Sequence, residues 1–503
     1  MRSLLLYLLL TTLLVGVELP LIHRVMIESG DAPQIKSSAF HLRDFEFQEV
    51  DGEWITLLPF GLKITDNEQT KLLKEVPIGT YKAVRFSIFQ PKNSPAGHLN
   101  IRSETASKTL SLKNHPHLPR IHLSTWFVVQ ENTPLRLTLN LDRLLSFPRP
   151  IPLDTSLNQE TLNSALIANL HSAFSLTGSN SLIPPLHFSK NNTPISLDIP
   201  PRFAPPGLPP DNPLTKERVA LGEKLFFDGI ISADGSVTCG ACHSENNAFA
   251  EDRAISRGFE GRLGKANSMP LFNRAWKSSF FWNGRAPTIR DQVLRPIAHR
   301  QEMAIPIKRA LFRLNRRRDY QRDFTIAFGP GQITAEKLSL ALESFILTLT
   351  SFDSKFDQAM MGKAELTARE KRGMDLFFND HVPGKPGRGA GCYQCHGGAN
   401  FTDYQFHNNG LLTPKDDGLF EVTGRKEDLK KFITPSLRNL VHTKPYSHDG
   451  RLLTLEEVID HYSNPPKLSE TLDPRLPKKG LQLSEPDQAA LIAFLKTLSD
   501  PKY

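Results

Sequence analysis

Along the first third of the chain, apolar and polar residues alternate in short runs broken by turn residues. FHLRDFEFQEV (40–50), EWITLLPF (53–60), GTYKAVRFSIF (79–89) and LRLTLNLDRLL (135–145) are the clearest of these runs. A period of two, rich in β-branched and aromatic side chains, predicts an antiparallel β domain from residue 36 to about 150. One helix is expected near 157–174. A proline-rich stretch follows, IPPLHFSKNNTPISLDIPPRFAPPGLPPDNP (183–213), which should be extended and semi-rigid and tie the β domain to the rest. Beyond it the period becomes helical. AEKLSLALESFILTLTSFDSKF (335–356) and PDQAALIAFLKTL (486–498) place apolar residues at helical spacing and read as core.

The helical part contains an internal repeat. NPLTKERVALGEKLFFDGIISADGSVTCGACH, ending at His243, matches AELTAREKRGMDLFFNDHVPGKPGRGAGCYQCH, ending at His396. Both copies run from an LT start through a Gly three residues before LFF to Asp or Asn, a Gly-rich loop and CxxCH. Thr367 and Glu370 have the spacing of a capping box that opens the helix of the second copy. Two similar, mainly α domains are therefore predicted, joined near Gly362.

The chain has only four cysteines, and the two CxxCH motifs use all of them: Cys239, Cys242, Cys392 and Cys395. Two disulfides would suit an exported protein. A zinc site would need two further ligands at finger spacing for each pair. A trailing histidine in both copies fits thioether attachment of c-type haem better, with the sulfurs taking the two vinyl groups and the histidine ligating iron. Two covalent haems c are expected, with His243 and His396 as the proximal ligands.

Charge and targeting add a setting. The formal net charge of +8 would fall to roughly +4 with four ionised haem propionates. The basic run RALFRLNRRRDYQRDF (309–324) would either steer an acidic redox partner or, more commonly for such runs, form a solvated helix face. Aromatic residues are not interleaved with the basic ones in a binding motif, so no nucleic-acid partner is expected. The N-terminus, MRSLLLYLLLTTLLVGVELP, carries an apolar stretch from Leu4 to Val17, short for a membrane span and suited to a signal-peptide core over 1–24. Export to the periplasm is expected. No clean small-x-small cleavage site follows, so the alternative is an uncleaved anchor in the inner membrane, the one case in which a membrane is a partner.

From Pro213 to the C-terminus the sequence is similar to the bacterial di-haem cytochrome c peroxidase and MauG family. The two haem motifs, FFWNGRAPTIRDQ (280–292), Gln301-Glu302-Met303, TPSLRNL (434–440) and KPYSHDGRLLTLEEVIDHY (444–462) carry this resemblance in order. It implies that Trp282 relays electrons between the haems, and that Gln292 and Glu302 lie on the open face of the first. A carboxylate there would take a proton from one peroxide oxygen and return it to the other. It also implies one calcium ion between the haems, held by the Asn267 side chain and the backbone carbonyls of Thr443 and Pro445, all hard oxygen donors. Read without the family, these residues are a core aromatic, a surface carboxylate and a turn asparagine.

The chain departs from the family pattern twice. Where many of these peroxidases keep a histidine that caps the first haem, counting back from Asn267 reaches Phe259, so the first haem is expected to be open even when oxidised. Where many have a distal methionine on the second haem, alignment on His448-Asp449-Gly450 reaches Tyr462, as in MauG, with His461 as the rival ligand. A phenolate would lower the potential relative to methionine. Both departures lean toward enzymes that spend peroxide's oxidising equivalents on a protein side chain.

The β domain is similar, more thinly, to MbnP-like copper-associated proteins, whose genes commonly accompany MauG-like partners that oxidise a tryptophan. VPIGTYKAVRFSIFQP (76–91), HLN (98–100) and LRLTLNLDRLL (135–145) carry the likeness, while the tryptophan-rich central stretch of that family is missing. Trp54 and Trp126, with His98, His115, His117 and His122, are the remaining candidates. Clustered histidines would suit copper; scattered loop histidines are the commoner explanation.

The expected organisation is a signal peptide or N-terminal anchor (1–24), an MbnP-like β domain (36–175), a proline-rich linker (176–213), a first, peroxidatic haem c domain (214–362) and a second, electron-transfer haem c domain (363–503). The leading functional expectation is an oxidoreductase that reduces hydrogen peroxide with electrons from a small cytochrome c or cupredoxin. The alternatives are MauG-like oxidation of a protein side chain such as tryptophan in the attached β domain, and a non-catalytic electron carrier or sensor.

Overall fold

A computed structural model describes residues 34–49, 54–58, 62–65, 79–88, 97–102, 107–111, 120–129, 136–139, 148–149, 164–170, 174–177 and 192–503, the last without 386, 414 and 415. The leader or anchor over 1–24, His115 and His117 lie outside these residues. Among the described residues no helix is long and apolar enough to cross a membrane.

The alternating runs form an antiparallel sheet. Its strands are β1 (Gln34–Glu49), β2 (Trp54–Leu58), β3 (Leu62–Thr65), β4 (Gly79–Ile88), β5 (Gly97–Arg102), β6 (Ser107–Ser111) and β7 (Arg120–Val129), in the order β6-β5-β1-β4-β7 with β2 and β3 also on β1. β8 (Arg136–Leu139) and β9 (Phe174–Thr177) form a separate pair. Leu42, Phe45 and Phe47 are all buried although their spacing breaks a strict period of two. The register shift between Arg43 and Glu46, with Asp44 at φ 56°, inserts the bulge that turns all three toward one face. Tyr81, Val84, Phe86, Ile121 and Leu123 complete that buried layer.

The sequence repeat becomes a structural repeat. In the first copy α1 (Lys216–Phe227) packs on α5 (Ala335–Thr348), and in the second α7 (Ala368–Phe378) packs on α9 (Glu485–Lys496). Between α1 and α5 lie α2 (Ile289–Ala298), α3 (Ile307–Asn315) and α4 (Arg318–Phe328); α6 (Lys355–Met360) joins the halves and α8 (Leu455–Ser463) precedes α9. The repeated glycine explains the close crossing. A Cβ on Gly222 would lie 2.0 Å from the Ala341 carbonyl oxygen, and one on Gly373 would lie 1.9 Å from that of Ala490. The expected capping box is present: Thr367 Oγ1 accepts from the Glu370 N–H and the Glu370 carboxylate accepts from the Thr367 N–H.

The described part of the proline-rich stretch is laid along the first half. Phe203 is buried against Trp276 and Phe352, and the Asn212 amide donates to Leu340 O and Glu343. The segment at 164–170, inside the stretch expected to be helical, is a fully buried helix that docks on the second half. Ala168 O accepts from the Gly398 N–H, Ser164 Oγ donates to Asp380, and nearby Arg149 bonds Asp375 and Asn379.

Three arginines of the basic run over 309–324 have partners within the chain. Arg313 reaches into the fold to the carbonyls of Ser232 and Ala233, while Arg317 and Arg322 pair with Asp319 and Asp323. That favours the solvated-face reading of the run.

Candidate haem-binding and peroxide site

Each CxxCH motif folds into a single turn that aims its histidine. Thr238 caps the turn Cys239–Cys242 by accepting the Ala241 N–H, and the His243 N–H closes it on Cys239 O. In the second copy Gly391 enters at φ 66°, open to glycine without strain, and the His396 N–H closes on Cys392 O. The two imidazoles are then oriented alike. His243 Nδ1 lies 3.0 Å from Phe249 O, and His396 Nδ1 lies 3.0 Å from Phe401 O. A carbonyl only accepts, so Nδ1 carries the proton and Nε2 keeps the lone pair that could bind a metal. Phe249 and Phe401, whose carbonyls these Nδ1 atoms meet, both hold left-handed backbone, at φ 57° and 51°. Burial lowers both imidazoles, His243 to about 4, so each is neutral and able to bind iron. The same burial raises the thiols, Cys239 and Cys392 each to about 12.

The surroundings fit haem, as half-buried Arg274 and buried Lys277 show. Arg274 Nε is buried without a hydrogen-bond partner, and Lys277 Nζ has as its hydrogen-bond acceptor the Met269 sulfur at 3.9 Å. Burial lowers both, and Lys277 further feels Arg274. Unpaired buried cations are costly. Arg274 also acts on His243, which places it beside the first haem pocket, where ionised haem propionates would supply the missing anions. Cys395, Asp403 and His407 have ligand atoms within 4.8 Å of one another, but the Cys395 sulfur belongs to the attachment motif, so they are not a separate ion site.

Glu302 lies in the turn after α2, its side chain 36% exposed, with His299 Nδ1 3.2 Å from its Oε1. Burial raises its carboxyl, and His299 and Arg285 work against that rise. Its charge is felt at Cys239 and Cys242, which places it on the first haem's side of the molecule. The Phe259 N–H donates to Glu302 O at 2.7 Å, so the loop that would carry a capping ligand is pinned to the carboxylate's own backbone. Gln292 is half-buried on α2, where its N–H donates to Thr288 O.

Trp282 is held from both halves. Its Nε1–H donates to Asn267 O at 2.9 Å, and its own carbonyl accepts from the Ile433 N–H at 3.0 Å. The Asn267 N–H donates to His448 O, and its Nδ2 is directed to Arg253 O and Ala254 O, leaving Oδ1 for another partner. Thr443 and Pro445 lie just before His448, across the cis Lys444–Pro445 bond.

Tyr462 and His461, neighbours on α8, both reach Asn409 but have different surroundings. Tyr462 is raised to about 12, first by burial, with Asn409 opposing and Cys395 and Cys392 adding to the rise. The Asn409 amide donates to its hydroxyl at 3.1 Å. His461 instead holds Asn409 O with Nε2 at 3.1 Å and lines a surface cavity of about 230 Å³ with Arg451 and Pro466.

The N-terminal candidates are partly placed. Trp54 lies on β2, with the Arg85 guanidinium 3.9 Å from its ring centroid. His98 belongs to β5, and His122 and Trp126 to β7.

Sequence reasoning missed Arg274, Lys277, His299 and His407. Only His299 left a local trace, three residues before Glu302.

The family model for di-haem cytochrome c peroxidase matches residues 216–365. The methylamine utilization protein MauG of Methylophilus methylotrophus is 35% identical over 315 residues, spanning 61% of this chain and 91% of that protein. The chain belongs to the di-haem cytochrome c peroxidase and MauG family. The cytochrome c551 peroxidase of Nitrosomonas europaea is 30% identical over 293 residues, 57% of this chain and 81% of that one. The crystal structure of a MauG-like protein associated with microbial copper homeostasis superposes with a TM-score of 0.56 at 32% identity, covering 61% of this chain and 96% of that one. Membership implies c-type di-haem cofactors and oxidoreductase activity of the peroxidase kind.

Proposed function

We propose that this di-haem peroxidase reduces hydrogen peroxide at the His243 haem with electrons from a small cytochrome c or cupredoxin that enter at the His396 haem. One observation supports the reading: the carboxyl of Glu302 is raised by burial, and the Phe259 N–H is bonded to the Glu302 carbonyl, so that loop and carboxylate are held together. Haem held by Cys239, Cys242 and His243 would supply redox-active iron for peroxide reduction. Glu302 takes a proton from one peroxide oxygen and returns it to the other, while Gln292 lines the same face. Trp282, fixed from both halves, carries electrons across, and Tyr462 with His396 would hold the iron of the second haem. A calcium ion on Asn267 Oδ1 and the Thr443 and Pro445 carbonyls would brace the Trp282 contact, since Asn267 O is the indole's acceptor. The organisation proposed is a haem domain over 214–362, another over 363–503, and an N-terminal domain over 36–175 tied to them by 176–213, in a protein exported to the periplasm.

Electron paramagnetic resonance of the oxidised, haem-loaded protein tests this. A high-spin and a low-spin ferric signal, both lost on adding one equivalent of peroxide, are expected. Two low-spin signals indifferent to peroxide would sink the open-haem reading.

A second reading is oxidation of a protein side chain, with Trp54 as the residue oxidised. Burial, and after it the charge of Arg425 in the second haem half, lower Arg85, which covers Trp54. The cation over that indole is therefore within electrostatic reach of the second half. An MbnP-like role for the N-terminal domain, with copper held by its histidines, belongs to this reading. A stoichiometric mass gain on Trp54, with little oxidation of added reduced cytochrome c, would favour it over the first.

A further inference from the structure

We propose that His299 positions Glu302 and relays protons between that carboxylate and solvent. The inference rests on the acid–base role proposed for Glu302.

The turn that joins them is rigid. The His299 N–H caps α2 on Arg295 O, and the Glu302 and Ala304 N–H groups both return to His299 O. From the other side the Phe259 N–H holds Glu302 O, and a Cβ on Gly258 would lie 2.1 Å from Gln301 O. With both backbones fixed, the His299 ring is set against Oε1 at 3.2 Å while its side chain remains 47% exposed. The histidine thus spans from the half-buried carboxylate to bulk water.

The other groups around Glu302 are poor proton carriers. Arg285 acts on it directly and is itself acted on by Arg295, Glu421 and Asp416. On the facing loop Arg262 pairs with Glu260 and donates to Arg300 O. Arginine stays protonated throughout the working range, and those acids face arginines. Histidine both gives and takes a proton near neutral pH.

The chemistry requires such a path. Each peroxide reduced to two waters consumes two electrons, from the reduced redox protein, and two protons, from solvent. In the relay the imidazolium gives its Nδ1 proton to Oε1, breaking one N–H bond as one O–H bond forms, and water restores the proton to the ring.

The test uses the haem-loaded full chain and the variants His299→Ala, His299→Gln and Glu302→Gln. An infrared pH titration follows the Glu302 carboxyl band, assigned by its loss in Glu302→Gln. In His299→Ala the titration midpoint should rise, and peroxide turnover should fall at least about tenfold, short of the roughly 10²–10⁴-fold that losing an acid–base group costs. Added imidazole should restore much of that turnover. His299→Gln, which keeps a donor, should hold the midpoint near that of the parent yet remain slow. An unchanged midpoint and unchanged turnover in His299→Ala would overturn the proposal, as would slow turnover that imidazole does not rescue. If Glu302→Gln itself turns over peroxide at the parent rate, the reading of Glu302 fails instead, and the two failures are told apart.

Discussion

The two haem halves share a scaffold and diverge in charge. Phe226, Phe249 and Phe345 cluster behind the first motif as Phe377, Phe401 and Phe494 do behind the second. Two residues beyond the carbonyl that orients each histidine stands an acid, Glu251 in one half and Asp403 in the other. One buried oxygen of Glu251 has no hydrogen-bond partner, and burial raises its carboxyl. Asp403 lies 2.9 Å from His407, which also reaches Asp473 at 2.8 Å, and despite burial His407, and after it Arg475, hold the Asp403 carboxyl far below the usual carboxylate range. Apolar packing was kept where geometry is shared, while polar partners were free to change.

Four measurements test how far the two halves correspond. The largest effect is expected where the halves differ in chemistry. Glu302→Gln should cut peroxide turnover by about 10²–10⁴-fold with haem content unchanged, while Tyr462→Phe should alter only the low-spin resonance of the second haem; a spectrum unchanged in Tyr462→Phe would remove that ligand.

Where the halves agree, paired variants should agree too. Gly222→Ala and Gly373→Ala each force a methyl against a carbonyl oxygen and should each lower stability by about 2–3 kcal/mol in thermal unfolding. A loss in one and not the other would end the structural equivalence.

The next effect belongs to the second half alone. Burial opposes protonation of His407, but Asp403 and then Asp473 outweigh it and raise the imidazole to about 9. A raised group stabilises the fold fully below its unfolded value of 6.5 and loses that contribution as pH climbs through its folded value. Unfolding by denaturant should therefore show stability falling between pH 6.5 and about 9, and His407→Gln should abolish that fall.

The smallest effect is at the N-terminal dock. Arg149→Ala removes bonds to Asp375 and Asn379 and should cost about 1–2 kcal/mol, with more rapid hydrogen exchange at the Gly398 amide; an unaffected amide would show that the dock does not depend on this arginine.

What the sequence revealed and what it hid follow from range. CxxCH, the LFF repeat and the Thr367–Glu370 box are local, and a period or a spacing exposes them. The sheet was legible from alternation, yet the bulge at Asp44 was not, because it exists only against the partner strand. His407 finds Asp473, and Arg274 stands by the His243 pocket, across distances no spacing encodes. Tyr462 and His461 were rivals in the sequence because adjacent positions on a helix face differently, and their environments differ only once α8 is packed.

The helix at 164–170 has a consequence for assembly. It emerges from the ribosome long before the loop it fastens, since nearby Arg149 waits 230 residues for Asn379. Contacts so distant in sequence form late, after the entropy of closing the intervening chain has been met. By then the segment beside the second motif must already be in place, so this dock works as a final latch, closing the chain's early portion over its last-made half.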